Sequence, residues 1–138
     1  MEKRKLTILQ ADNTMDKFYH ALVMATEART LGWDVNVFVT SQAVVLLAKG
    51  EKGSKARSKL SIGGLARFFV QRQMKKLGIT NIDTLLKRAM DAGVQFFVDE
   101  AGLRIAKVSK EDLMENVKLS GGISFLLSAK ESDVVVTL

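Results

Sequence analysis

Cysteine is missing from all 138 positions of the chain. That absence excludes disulfides, thiolate metal sites and every mechanism whose nucleophile is a thiol. Proline is missing too, so each bend must come from glycine or from polar turn residues. Histidine occurs once, as His20, spaced with Asp16 and Glu27 near one face of a helical stretch. Without a second imidazole this is a solvated flank rather than a metal centre, and neither metal nor other cofactor is expected. No apolar run reaches the ~20 residues of a membrane span. The start, MEKRKLTIL, lacks the length and the small-residue cleavage site of a signal peptide, so a cytoplasmic location is the expectation. Apart from phenylalanine, the aromatics are Tyr19 and Trp33. Neither lies among the basic residues to form a stacking platform, and nucleic acid is not an expected partner.

What is present is the composition of an ordinary globular protein, 47% apolar and 26% charged. The length suits one domain over residues 1–138, able to bury roughly two thirds of the surface of its unfolded chain. The net charge of +6 is local. Lys49, Lys52, Lys55, Arg57, Lys59, Arg67, Arg72, Lys75 and Lys76 face only Glu51 between positions 49 and 76, a balance of +8 that leaves −2 for the remainder. Residues 49–64 have linker composition and are expected to form a mobile loop. GEKGSK within them has the wrong glycine spacing for a phosphate loop. Beyond it, GGLARFFVQRQMKK reads as a helix with an apolar stripe beside a basic face. Either its phenylalanines pack on the sheet, or the helix is a subunit interface or binds an anionic surface.

Four short β-branched or aromatic runs have strand length: KLTILQ (5–10), DVNVFVT (34–40), VQFFV (94–98) and DVVVTL (133–138). A fifth, shorter strand is expected over 117–119. Helical patterns alternate with them. Asn13 or Thr14 is placed to cap the first and Gly32 to end it; Ser41 is placed to cap a second, ending near Gly50. Further helices are expected over 65–77, from Asn81 to Gly93, after the Ser109/Asp112 capping box, and over 123–130. Strands alternating with helices and apolar on both faces predict a three-layer α/β/α sandwich around a mainly parallel sheet of about five strands.

In such a sheet ligands bind beyond the carboxyl ends of the strands, where helix N-termini converge. The residues there are Asn13 and Thr14, Thr40 and Ser41, Asp99 and Glu100, and Ser120 and Gly121. Each has a structural reading as a cap or turn residue; Asp99 in particular can cap a short helix over 103–106. A functional reading makes Asp99 or Glu100 the base or metal ligand of a divergent oxidoreductase or hydrolase.

The ordered series LTILQADNTMDKFYHALVMATEARTLGWDVNVFVTSQAVVLL, LARFFVQRQMKKLGITNIDTLLKRAMDAGVQFFVDE and KEDLMENVKLSGGISFLLSAKESDVVVTL resembles the DsrE/DsrF-like proteins of sulfur trafficking. It is most similar to the branch with a hydrophobic and basic insertion after the second strand. DAGV before the third strand and SGGISFL before the last carry much of the likeness, which spans nearly the whole chain. The resemblance implies five parallel strands, assembly into homo- or hetero-oligomers, and in active members a persulfide cysteine at the exit of the third strand. Aligned through DAGV and KEDL, that cysteine falls on Asp99, or one residue away where the loop length differs. A carboxylate cannot carry a persulfide. The resemblance therefore implies an accessory protein, a homo-oligomer working beside a cysteine-bearing paralogue or sulfur-relay protein. A third reading is an adaptor that binds an anionic surface, such as a membrane, through residues 49–76.

Overall fold

The computed structural model of the chain describes residues 3–60 and 62–138. Met1 and Glu2 of the basic start and Ser61 of the expected loop lie outside the described residues. Strands β1 (Lys5–Gln10), β2 (Asp34–Val39), β3 (Gln95–Val98), β4 (Val117–Leu119) and β5 (Val134–Thr137) form one sheet in the order β4-β3-β2-β1-β5, parallel throughout. The expected α/β/α architecture is present. Its strands differ from the expectation at the sheet edges, where most of β4 and β5 is exposed.

The core is lopsided. Leu6, Ile8, Val35, Val37, Val39, Phe96 and Val98 alternate onto one face of the sheet. There they meet Phe18, Leu22 and Ala25 of α1 (Met15–Thr30) and Leu86 and Ala89 of α4 (Ile82–Asp91). Burial of each large side chain contributes about 1.5–3 kcal/mol. The opposite face is covered by α6 (Gly122–Lys130), joined through Ser128 Oγ, which pairs with Thr7 Oγ1 at 2.8 Å and accepts from Asn36 Nδ2 at 3.0 Å.

Helix ends follow local chemistry. Gly32 (φ +82°) closes α1: its N–H donates to Arg29 O (2.9 Å) and that of Trp33 to Ala28 O (2.9 Å), a closure needing a left-handed residue. Asn81 Oδ1 caps α4 by accepting from Asp83 N–H at 2.8 Å. The Ser109/Asp112 capping box is present on a short 3-10 turn, Lys110–Asp112.

Five local expectations need correction. Thr14 occupies the N-cap of α1 but its side chain does not cap; Asp12 Oδ1 accepts from both Thr14 N–H (2.8 Å) and the Thr14 hydroxyl, organising the turn from one residue further back. Thr40, not Ser41, holds the cap position of the next element, which is a 3-10 helix (Ser41–Leu47). The stretch read as a loop is helical over α2 (Gly50–Arg57). Within it Arg57, counted with the basic surface, is buried and ion-paired with Asp83. Finally α3 (Gly64–Lys76) buries none of its residues; its phenylalanines point outward instead of onto the sheet.

The Thr14 hydroxyl first, then the Thr14 N–H and Lys17 (3.3 Å), hold the Asp12 carboxyl below its ordinary 3.8, against an opposing push from burial. A carboxyl lowered on folding stabilises the fold above its unfolded value and loses that contribution as pH falls through the folded one. Asp12→Asn is therefore expected to lower stability by on the order of 0.5 kcal/mol at neutral pH. In urea titrations the deficit should stay flat down to about pH 4 and shrink below it.

Candidate functional site

The β2–β3 register pairs Phe38 with Phe97, so their rings stand on one sheet face and stack at 4.7 Å and 16°. Phe125 of α6 meets Phe38 edge-on at 5.6 Å and 75°. With Leu9 and Val39 these rings wall a cavity of about 230 Å³ at the carboxyl edge of the sheet. Its rim is polar: Thr40 after β2, Asp99 after β3, and Ser120, Gly121 and Gly122 after β4. Gly121 and Gly122 open α6, whose first turn has no side-chain cap, leaving N–H donors at the rim.

Asp99 is half-buried and bonded through both oxygens. As N-cap of α5 (Glu100–Ala106) its Oδ1 accepts from Gly102 N–H at 3.0 Å, while Oδ2 accepts from Thr40 Oγ1 at 2.9 Å. The first bond satisfies a helix donor that would otherwise be orphaned. The second ties the exits of β2 and β3 together across the cavity rim. The geometry requires α5 to approach the 3-10 segment closely. A Cβ on Gly102 would overlap Asp99 Oδ1 and lie 2.6 Å from Val44 Cγ2 and 3.0 Å from Ser41 N. Ser41 is itself left-handed (φ +55°), a conformation costing roughly 1 kcal/mol for a residue with a Cβ.

Of the residues singled out by sequence, Thr40, Asp99, Ser120 and Gly121 come together at this rim. Asn13, Thr14, Ser41 and Glu100 are not part of the lining. Glu100 is exposed and turns toward Lys110, 3.9 Å away. The two adjacent carboxylates thus diverge, as the helix start at Glu100 dictates. The basic residues do not form one patch either. Arg57 is internal, Lys55 pairs with Glu51 at 2.8 Å, Lys52 donates to Lys107 O, and Arg67 donates to Ser58 O at 3.4 Å. The aromatic wall of Phe38, Phe97 and Phe125 was not anticipated. Its sequence signal is a phenylalanine two positions before Thr40 and another two before Asp99, which parallel pairing sets side by side.

The lining offers one carboxylate, two hydroxyls and backbone N–H groups around an apolar floor. His20 is on the exposed side of α1 and does not reach it. Among the described residues, no three His, Asp or Glu side chains gather as metal ligands.

Comparison with known proteins bears on this geometry. The sequence model of the DsrE/DsrF-like family matches residues 4–138. The sulfur carrier protein DsrE2 of Allochromatium vinosum is 23% identical over 155 residues, covering 97% of this chain and 98% of that protein. The crystal structure of the ychN protein of E. coli superimposes with a TM-score of 0.68 at 16% identity, covering 99% of this chain and 100% of that one. A Methanobacterium thermoautotrophicum protein, MTH1491, gives a TM-score of 0.52 at 15% identity over 98% of this chain and 99% of its own. These structures share the fold.

Proposed function

The chain belongs to the DsrE/DsrF-like family, and from that membership we propose that it serves intracellular sulfur transfer without carrying sulfur itself, as an accessory member that receives a partner's side chain or a small ligand in the carboxyl-edge cavity. The observation that carries this reading is Asp99. It stands where the family resemblance implies a persulfide cysteine, and both of its oxygens are engaged in holding the rim. With no thiol in the chain, the persulfide must reside on another protein. A name supports the direction: the Allochromatium vinosum relative is a sulfur carrier.

The size of the cavity bears on what it receives. About 230 Å³ is below the ~300–1,000 Å³ usual for cofactor and small-molecule pockets, and corresponds to about eight waters. A single apolar side chain delivered by a partner loop fits that volume. The α6 surface beside it exposes Ile123, Leu126 and Leu127, an apolar face that supports assembly with a second copy or a cysteine-bearing relative. An enzyme using Asp99 as base has less support, since both oxygens already accept hydrogen bonds and no imidazole lines the rim.

The test is affinity capture from native extract under non-reducing conditions, with the assembly's mass measured in parallel. A cysteine-bearing DsrE/DsrF-like subunit or sulfur-relay protein is the expected catch. Phe97→Ala, which opens the cavity floor, should weaken that capture at least about tenfold. Asp99→Asn keeps a capping acceptor and so separates charge from fold; it should weaken capture while leaving the helix content intact. A stable self-assembly that captures no thiol protein, or capture indifferent to both substitutions, overturns the accessory role at this site.

A further inference from the structure

Helix α3 stands apart from the core. Its inward face is the half-buried series Arg67, Val70, Gln71 and Met74, spaced i, i+3, i+4, i+7. Arg67 and Gln71 anchor it by donating to Ser58 O, at 3.4 and 2.9 Å. The outward face is the complementary series Leu65, Phe68, Phe69, Arg72, Lys75 and Lys76. Leu65 is 77%, Phe68 58% and Phe69 61% exposed, values that no packing within this chain accounts for. Apolar and basic residues therefore do not occupy opposite sides of α3. They follow one another along a single outward stripe, an apolar turn (Leu65–Phe69) and then a cationic turn (Arg72–Lys76).

From this stripe we propose that α3 docks the protein on an anionic phospholipid membrane. Leu65, Phe68 and Phe69 enter the boundary between headgroups and acyl chains, and Arg72, Lys75 and Lys76 lie against lipid phosphates. Segregation along the axis suits a helix that dips its N-terminal half into an interface while long basic side chains stay at headgroup level. The charge pattern selects this occupant. The segment Gly64–Lys76 contains no carboxylate, and among the described residues no carboxylate forms an ion pair with Arg72, Lys75 or Lys76. A second copy does not offer the complement. An α3–α3 contact would bring like charges together in a desolvated interface. The other large apolar face, on α6, carries Lys130 and no acidic residue between Gly122 and Lys130. A surface of lipid phosphates over hydrocarbon complements both halves of the stripe.

The stripe shares no residue with the carboxyl-edge cavity, so this docking and the accessory role stand or fall separately. The experiment is co-sedimentation of the full chain with extruded vesicles of phosphatidylcholine alone, or containing about one third phosphatidylglycerol. Binding is expected on the anionic vesicles only, weakening at least about tenfold from low to physiological salt. Arg72→Glu with Lys75→Glu should lower partitioning at least about a hundredfold, and Phe68→Ser with Phe69→Ser at least about tenfold. Since Phe68, Phe69, Arg72 and Lys75 are all exposed, circular dichroism should be unchanged in both variants. Equal binding to neutral vesicles, absence of binding, or binding indifferent to the substitutions overturns the proposal. So does a fall in the assembly's mass on Phe68→Ser with Phe69→Ser, which would give the face to a second copy.

Discussion

Arg57→Met is expected to destabilise the fold by about 3 kcal/mol, moving the urea midpoint down by roughly 1–2 M. Arg57 lies at the end of α2, in which Gly53 sits so close to Ala48 that a Cβ there would overlap the Ala48 carbonyl oxygen. That approach lets the guanidinium reach inward. Its Nη1 donates to Leu46 O at 2.8 Å and Ala48 O at 3.0 Å, and its Nε to Asp83 Oδ1 at 2.5 Å. One side chain thus ties the end of the 3-10 segment to the first turn of α4. The carbonyls decide the magnitude. Asp83 keeps 46% of its side chain exposed and water can replace its partner, whereas a buried acceptor left without a donor costs about 1–3 kcal/mol. Methionine fills the volume but donates nothing. Lysine should recover less than half of the loss, because an ammonium cannot reproduce the planar fork that serves three acceptors at once. A midpoint shift under about 0.3 M would mean that α2 does not depend on this residue.

Gly102→Ala is the second large effect, and here two physical arguments oppose each other. Gly102 is the third residue of α5, where alanine favours helix over glycine by roughly 0.5–1 kcal/mol. Packing argues the other way: the added methyl meets Val44 Cγ2 at 2.6 Å and Ser41 N at 3.0 Å and overlaps the capping carboxylate. Overpacking of this kind costs typically 1–3 kcal/mol, and neither a strand-end backbone nor the cap can yield without the other. The net expectation is a loss of about 2 kcal/mol, with the damage centred on the rim. Amide hydrogen exchange should accelerate at Gly102 and Thr40 ahead of the core strands. A variant as stable as the parent, with unchanged exchange at Thr40, would show that the α5 approach is slack and the rim geometry adjustable.

The cavity combines features that the sequence states with features that it leaves open. Thr40, Asp99 and Ser120 are found from strand ends alone, because every parallel strand delivers its exit to the same edge. The reading of Asp99 as a cap follows from its place before a helical run. Its bond to Thr40 is another matter, since it depends on β2 and β3 being neighbours in matched register. The same register turns two separated phenylalanines into a stacked wall. Asn13 and Thr14 sit at an exit by the same logic as Thr40 yet do not line the cavity.

The sequence by itself determined the five strands, most of the helices, the parallel arrangement and the family. These depend on local periodicity, on cap and turn chemistry, and on the order of short motifs, all of which are properties of contiguous residues. It also determined that no sulfur can be carried on a thiol, since cysteine is absent. Tertiary structure alone decided that Arg57 is an internal strut and not a surface cation, that residues 50–57 are helical on a carbonyl they nearly touch, and that α3 turns its phenylalanines outward. An amphipathic pattern specifies that a helix has two faces. Which face meets the core is set by the other surfaces competing for that core, and those are assembled from residues far away in the chain.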